Sequence, residues 1–295
     1  SLRRRQRQMC IRDRDNITYT YGMGTPFEKT ALRGVSLTIE NGEFLGVIGH
    51  TGSGKSTFVQ HLNGLLHPTT GTVTVNGVDI SASTEEAKKM RHKVGMVFQY
   101  PEHQLFEETI AQDIAFGPKN LGLSADDVDE RVRDAMKFVG LDYDTYAERS
   151  PFHLSGGQMR RVAIAGVVAM DPDFLVLDEP SAGLDPFGRE EIFEEIIRLH
   201  KEKGITVILV SHNMEDISRM ASRLVVLDKG RIVLDGEPMD IFNNHRDELQ
   251  AVGVDVPPVS VTMEYLREQG LDVSNRVLSV DDAVQAILEG GNHVK

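Results

Sequence analysis

GHTGSGKS, at residues 49–56, is the stretch that decides the fold. It matches the phosphate-binding loop pattern G-x-x-x-x-G-K-[ST]. The apolar run at residues 44–48 predicts a buried strand before it, and residues 55–66 carry apolar side chains at helical spacing after it. Glycines let main-chain N–H groups approach phosphate oxygens, and the helix N-terminus adds partial positive charge. The alternative is a Gly-rich turn without a ligand, but the strand and helix around the loop favour an α/β fold that binds phosphate.

The bulk composition is ordinary for a soluble α/β protein with an acidic surface. The 295 residues are 40% hydrophobic and 26% charged, which fits one large domain with a small appendage. No apolar run reaches the ~18 residues of a membrane helix, and the Arg-rich start does not resemble a secretory signal. The net charge of −13 disfavours a general basic surface for nucleic acid. The single Cys10 rules out an internal disulfide and fits a reducing compartment.

Residues 1–14 differ in composition from the rest of the chain. They hold six Arg and one Asp, whereas the remaining residues are strongly acidic. A basic tail that contacts anionic lipid or RNA is one interpretation. A disordered end or a sequence artefact is the other, and we favour it because nothing else in the chain resembles this segment. We assign this arm no function.

Polar residues follow three of the predicted buried strands. Gln99 and the pair Asp178 with Glu179 come directly after apolar runs, and His212 follows a third run after one serine. The carboxyl ends of parallel strands share one edge of a sheet, so these side chains are expected beside the phosphate-binding loop. There Asp178 and Ser56 suit Mg²⁺, and Glu179 suits the activation of a water molecule. Solvated polar residues at strand ends are the alternative for each of them taken alone.

A second glycine-containing motif, LSGGQ, stands at residues 154–158. Ser155 is a good N-cap for the helix expected over residues 159–170, and Gly156 and Gly157 would leave the first N–H groups of that helix open. An ordinary Ser-capped helix is the alternative. Two adjacent glycines lower helix stability by about 1 kcal/mol each, however, so the close approach of a phosphate is the better explanation.

The remaining patterns divide the chain into three parts. Alternating residues predict strands at 17–22 and 34–40, and short helical patterns at about residues 100–170 indicate an inserted helical subdomain. Residues 15–240 are expected to form the main domain, after the arm at residues 1–14. Residues 241–295 are expected to form a helical extension, in which Ser279 caps a helix with Val280, Ala283, Val284, Ile287 and Leu288 on one side.

These motifs in this order resemble the ATP-binding cassette (ABC) ATPases over residues 17–240. The resemblance implies a P-loop NTPase (RecA-like) core with an N-terminal antiparallel β subdomain and an inserted helical subdomain. It also implies that ATP is sandwiched between the P-loop of one subunit and the LSGGQ signature of another. The resemblance assigns ATP binding to Tyr21 (which would stack on adenine), Gly49, His50, Thr51, Gly52, Ser53, Gly54, Lys55, Ser56, Thr57, Ser155, Gly156, Gly157, Gln158 and Asp185, Mg²⁺ to Ser56, Gln99 and Asp178, and hydrolysis to Glu179, His212 and Gln99.

The wording around Gln99 permits a narrower match. FQYPEHQLFEET at residues 98–109 and DIAFGPKN at residues 113–120 look like the energy-coupling factor (ECF) transporters. They are most similar to the second, A′-type ATPase subunit, which His50 also suits. This resemblance implies a heterodimer with a related A subunit, a transmembrane T component, and an S component that captures a vitamin or a transition-metal ion. It places the chain peripherally at the cytoplasmic face of a bacterial cell membrane, with the C-terminal extension joining the two ATPase subunits.

Two rival interpretations remain at this point. The chain could serve an ordinary ABC importer or exporter, from which an ECF subunit differs by its partners. A soluble ABC protein that acts on DNA or ribosomes is less favoured. The stretch between P-loop and signature is too short for the long coiled coil of DNA-repair types, the chain holds one cassette and not two, and the acidic charge opposes a nucleic-acid grip.

Overall fold

Two β-sheets and a set of surrounding helices meet at the phosphate-binding loop. The computed structural model describes residues 10–291, with side chains from residue 16 to residue 289. The strands are β1 (Cys10–Tyr21), β2 (Lys29–Val35), β3 (Thr38–Glu40), β4 (Phe44–Ile48), β5 (Thr70–Val75), β6 (Val78–Asp79), β7 (Val94–Val97), β8 (Phe174–Asp178), β9 (Thr206–Val210), β10 (Arg223–Asp228) and β11 (Arg231–Gly236). The helices are α1 (Lys55–Leu62), α2 (Glu85–Arg91), α3 (Ile110–Asn120), α4 (Ala125–Phe138), α5 (Tyr143–Tyr146), α6 (Gly156–Val168), α7 (Pro186–Lys203), α8 (Met214–Met220), α9 (Pro238–Asn244), α10 (Arg246–Ala251), α11 (Pro258–Glu268) and α12 (Val280–Gly291).

The larger sheet forms the core, in the order β11-β10-β4-β9-β8-β7. Strands β10, β4, β9, β8 and β7 run parallel, and β11 pairs antiparallel with β10. Every residue of β4, β8 and β9 is buried, because helices cover one face while α1 and the smaller sheet cover the other, which leaves no polar alternation. The strands predicted before the P-loop and before Asp178 are confirmed. Their carboxyl ends lie at one edge of this sheet.

The smaller sheet is antiparallel, in the order β2-β1-β5-β6, with β3 also paired to β1. Its first strand begins at Cys10, earlier than the predicted start at Ile17. The additional residues of β1 are held by main-chain hydrogen bonds to β5 and β3, as in the pair Ile11 with Val75. Such pairing does not depend on an apolar side-chain pattern. The strand predicted at residues 34–40 is likewise divided between β2 and β3. The first nine residues of the Arg-rich arm lie outside the described residues.

The predicted helical insert is present as α3 to α6. On α4 and its C-cap, the apolar residues at helical spacing are all buried: Val128, Val132, Ala135, Met136 and Val139. The N-cap hydroxyl of Ser124 accepts from the Asp127 N–H at 3.2 Å, which fixes the start of this helix. Helix α6 begins at Gly156 and not at Met159, so both signature glycines lie in its first turn.

Between residues 241 and 291, the C-terminal extension holds the end of α9 and all of α10, α11 and α12, and the helix that the sequence predicted after Ser279 is α12. Helices α11 and α12 enclose a small core of Met263, Val273, Val277 and Ala283. The Ser218 hydroxyl on α8 donates to the Leu278 carbonyl at 3.1 Å, which fastens the extension to the main domain. On α12 only Ala283 of the predicted apolar face is buried, because the helix lies at the periphery of the chain and its other apolar side chains face solvent. The side chains of Val280, Val284, Ile287 and Leu288 are exposed.

In the part of the chain from residue 10 to residue 291, no helix is both long and apolar enough to cross a membrane.

Candidate nucleotide-binding site

The loop between β4 and α1 has the shape of an anion cradle. Gly52 and Gly54 adopt φ values of 83° and 109°, a region in which a side chain would be strained. Gly49 cannot carry a side chain, because a Cβ atom there would lie 2.2 Å from the Leu227 carbonyl oxygen. The Lys55 Nζ lies over the loop and donates to the Gly49 carbonyl at 2.6 Å. The loop therefore places main-chain N–H groups, a helix N-terminus and one ammonium group together.

The cradle is held from behind by both sheets. The Gly230 N–H donates to the Ser53 carbonyl at 2.8 Å, and the Arg33 N–H donates to the Gly230 carbonyl at 2.8 Å. His50 Nε2 also contacts the Asp228 carboxylate at 2.9 Å. The phosphate-binding loop is thus tied to the β10–β11 turn and, through it, to β2. Asp228 and Gly230 are supporting residues that the sequence did not identify.

The carboxylates of β8 meet the histidine that follows β9. His212 Nε2 lies 3.2 Å from Glu179 Oε1. This is an ion-pair distance, but the angles are not those of a hydrogen bond. Burial and the neighbouring Asp178 raise the pKa of Glu179 from 4.5 to about 7, against the opposite effect of Lys55. Burial also raises the pKa of Asp178, while the Ser56 hydroxyl and Lys55 act in the opposite direction. A carboxyl group with a pKa near neutrality can both hold and release a proton.

Glu179 has a strained main chain. Its φ is 52°, and Pro180 follows it, a combination that is unfavourable for a residue with a side chain. A left-handed conformation of this kind costs about 1–3 kcal/mol and persists only where the surroundings hold it in place. The Glu179 N–H donates to the Val210 carbonyl at 3.0 Å, and the Ala182 N–H donates to the Glu179 carbonyl at 3.1 Å. Strain of this kind clusters at functional sites.

One cavity of about 680 Å³ gathers most of the predicted site residues. Those that line it are Tyr21, Thr51, Gly52, Gly54, Lys55, Ser56, Thr57, Gln99, Asp178, Glu179 and His212. Gly49, His50 and Ser53 belong to the loop but are not among the lining residues. Further lining residues that the sequence did not identify are Lys29, Thr30, Ala31, Arg33 and Lys229. Their positions on β2 and in the β10–β11 turn carry no motif, so only the packing of the two sheets shows them.

Tyr21 lies at the end of β1 on the wall of this cavity. Its hydroxyl is 3.1 Å from the Thr57 hydroxyl on α1, and its ring meets the Tyr19 ring edge to face at 4.8 Å. These contacts fix the plane of a ring that is 41% exposed. The arrangement offers an aromatic face beside the phosphate-binding loop, as stacking of a base requires.

The signature residues lie elsewhere. The Ser155 hydroxyl accepts from the Gln158 N–H at 3.3 Å, and the Gln158 side chain accepts from the Ser155 N–H at 3.1 Å. This capping box begins α6 and leaves Ser155 and Gly156 exposed. Asp185 is also exposed and caps α7 through the Gly188 N–H at 2.7 Å. Neither the signature nor Asp185 lines the cavity that contains Lys55.

The donor set of the cavity fits a magnesium–nucleotide complex. Ser53 Oγ and Glu179 Oε1 are buried without a hydrogen-bond partner, and buried polar atoms in this state call for one. Nothing occupies the position of a Cβ at Gly52, which leaves room for a phosphate. Ser56 and Asp178 supply the hard oxygen ligands that Mg²⁺ prefers when it is bound with substrate phosphates.

Comparison with known proteins agrees with this geometry. Residues 32–182 match the ABC transporter family. The chain is 54% identical to the energy-coupling factor transporter ATP-binding protein EcfA2 of Clostridium tetani, over 93% of this chain and 95% of that protein. The chain belongs to the ECF ATPases of the ABC transporter family. EcfA2 of Clostridioides difficile, another member of this ECF ATPase family, is 50% identical over 93% of this chain and 95% of its own length.

Solved structures confirm the expected fold class for this ECF ATPase. The cbiO1 protein of Clostridium perfringens, part of the ABC transporter complex cbiONQ, superposes with a TM-score of 0.71 at 35% identity, covering 86% of this chain and 98% of that one. The dimeric cassette MJ0796 in a post-hydrolysis state with ADP and Pi gives a TM-score of 0.68 at 30% identity, with 77% and 98% covered. The relatives favour the ECF assignment over the two rival interpretations.

Proposed function

We propose that this chain binds and hydrolyses ATP as the A′-type subunit of an ECF importer. The observation that carries the proposal is the convergence of Lys55, Ser56, Asp178, Glu179 and His212 on one cavity. These residues come from three separate segments of the chain, and their chemistry matches phosphoryl transfer to water.

Each residue has a role that follows from its position. Lys55 and the loop N–H groups hold the phosphate chain, and the Tyr21 ring stacks on adenine. Ser56, Gln99 and Asp178 would hold Mg²⁺, which would neutralise charge on the phosphates. Glu179 orients the attacking water and takes its proton, and His212, 3.2 Å away, fixes the Glu179 carboxylate.

A second ATPase subunit completes the site. Ser155 and Gly156 are exposed, Gly157 and Gln158 are half-buried, and none of the four lines the cavity, so in one chain they have no phosphate to bind. We infer that they contact the ATP held by the P-loop of a related A subunit, with Asp185 at the same interface. The exposed apolar side chains of α12 suit the same subunit, since a face of this kind on a short helix is stabilised by coverage.

The membrane components contact the helical insert. Phe106 and Phe116 are 57% and 45% exposed, and their rings meet edge to face at 4.9 Å beside the turn Pro101–Gln104. This aromatic pair offers an exposed apolar contact surface for a coupling helix of the T component. The chain would then lie peripherally at the cytoplasmic face of a bacterial membrane. An S component would select the cargo, a vitamin or a transition-metal ion.

The variant Glu179→Gln tests the assignment of the water-activating residue. It should keep ATP affinity, because the P-loop is untouched, and nearly abolish hydrolysis, because an amide cannot take the proton. Phosphate release and ATP binding are measured on the full chain with its copurified partners, and Glu202→Gln on the exposed end of α7 is the control. A turnover of Glu179→Gln within about threefold of the wild type would contradict the role of Glu179.

Two measurements test the composite site. Mass spectrometry of proteins that copurify from membranes should find a second ATPase chain, a T component and a small S protein. Hydrolysis per chain should rise with the concentration of the A subunit. Full activity of the isolated chain as a monomer at every concentration would contradict the shared site.

A further inference from the structure

Arg160 is the largest fully buried side chain among the described residues, with 1% of its surface exposed. Its Nε and Nη2 atoms donate to the two carboxylate oxygens of Glu102, both at 3.1 Å. Its Nη1 atom donates to the Pro180 carbonyl at 2.9 Å. A buried guanidinium group is tolerated only where its donors are paired in this way. The fork geometry of arginine allows one side chain to serve two neighbours in different directions.

The three residues joined by this guanidinium belong to the three segments that surround the reaction. Glu102 lies in the turn that follows Gln99. Arg160 lies in the second turn of α6, which begins at the signature. Pro180 is bonded covalently to Glu179. The site described above uses the residues beside these positions and leaves Arg160, Glu102 and the Pro180 carbonyl without a role.

The bond to Pro180 acts on the strained part of the site. Glu179 holds a φ of 52°, and its own N–H and carbonyl are bonded to other main-chain groups. Arg160 adds a charged donor on the next carbonyl along the chain. Charge-assisted bonds are stronger than neutral ones, so loss of this bond removes a restraint where the main chain is least favourable.

We propose that Arg160 is a positioning residue for hydrolysis, because its hydrogen bond to the Pro180 carbonyl keeps the Glu179 side chain oriented into the cavity. The same guanidinium ties this arrangement to the Gln99 loop through Glu102. The inference rests on the proposed role of Glu179 and adds the residue that holds it in place. A core-filling role for Arg160 is the competing explanation.

The test compares Arg160→Met with wild type in the full chain with its copurified ATPase partner. We expect kcat to fall by about 10- to 100-fold, as a displacement near 1 Å produces, while KM for ATP stays within about threefold. Arg160→Lys keeps the charge but lacks the fork, so it should recover only part of kcat. Arg133→Met, which removes an exposed arginine of α4, is the matched control and should leave kcat unchanged.

Two further variants separate positioning from folding. Arg160→Met combined with Glu102→Leu removes the buried guanidinium and its half-buried partner together, so it should regain the wild-type melting temperature while kcat stays low. Arg160→Met combined with Glu179→Gln should be no slower in single-turnover hydrolysis than Glu179→Gln alone, because Arg160 acts through the Glu179 carboxylate.

The outcomes are distinct. A wild-type kcat in the Arg160→Met, Glu102→Leu protein would overturn the inference. Arg160→Met should lower the hydrolysis rate of the wild type by some factor. If it lowered the single-turnover rate of Glu179→Gln by the same factor, that result would also overturn the inference. Wild-type hydrolysis by Glu179→Gln itself would overturn the proposed role of Glu179 instead.

Discussion

Glu195 on α7 should make the protein less stable as the pH rises from about 4.5 to about 7. Its Oε2 atom is buried without a hydrogen-bond partner. Burial raises its pKa from 4.5 to about 7, even though Arg161 and Arg198 act in the opposite direction. Both arginines are engaged elsewhere, Arg161 with Glu191 at 3.2 Å and Arg198 with the Phe138 carbonyl. Glu195 therefore lacks a dedicated counter-ion.

The size of the effect follows from this pKa. The native state holds the proton more tightly than the unfolded chain, so the free energy of unfolding falls between about pH 4.5 and 7 and is level above that range. At about 1.4 kcal/mol per unit, the whole displacement corresponds to about 3 kcal/mol. Because Glu195 is only partly buried, solvent screening reduces this to about 1–2 kcal/mol.

Urea unfolding of the Glu195→Gln variant measures this contribution. The amide resembles the protonated acid at every pH, so the stability gain of the variant over wild type should grow by about 1 kcal/mol between pH 5 and pH 8. Glu194→Gln, at the exposed neighbouring position, should show no such growth. A gain independent of pH, or a wild type more stable than the variant at pH 8, would refute the reasoning.

Three further predictions concern packing and the nucleotide site. Gly95→Ala should lower the free energy of unfolding by about 1–3 kcal/mol, because its Cβ would lie 2.6 Å from a valine methyl. Gly166→Ala, whose Cβ has no neighbour closer than 3.9 Å, should instead raise the free energy of unfolding by about 0.5–1 kcal/mol. Urea unfolding measures both changes. Tyr21→Ala should weaken ATP binding about tenfold whereas Tyr21→Phe should not, since stacking contributes about 1–3 kcal/mol; equal affinities in a fluorescent-nucleotide competition assay would contradict this. His50→Gln and Asp228→Asn should each raise KM for ATP and should not add when combined, because they break the same 2.9 Å contact; additive losses in steady-state kinetics would show separate roles.

The sequence predicted the parts of the site that depend on local pattern. The fully apolar run of β4 and the loop that follows it lie where the pattern indicated, and so does the Asp178-Glu179 edge. The start of β1 was placed too late, because an Arg-rich composition does not indicate a strand that is held by main-chain pairing. The roles of the individual residues in ATP hydrolysis remain predictions.

Interactions between distant segments stayed outside the reach of sequence patterns. Arg160 is 58 positions from Glu102 and 20 from Pro180, so its partners follow only from how α6 packs against β8 and the Gln99 loop. Lys29 and Arg33 face the cavity because the two sheets meet there. The signature residues are recognised from sequence. That they lie away from the cavity is seen only once the packing of the helical insert is known.

The fastening of the C-terminal extension has a consequence for engineered hybrids of this protein. Ser218, whose hydroxyl is bonded to the Leu278 carbonyl, stands on α8, and that helix is capped by Asn213 immediately after His212. Exchanging the C-terminal extension between relatives would therefore change a contact that supports the segment containing His212. It would also change the surface offered to the second ATPase subunit. Grafts joined after residue 279 would keep that anchor, whereas grafts joined before residue 258 would replace it.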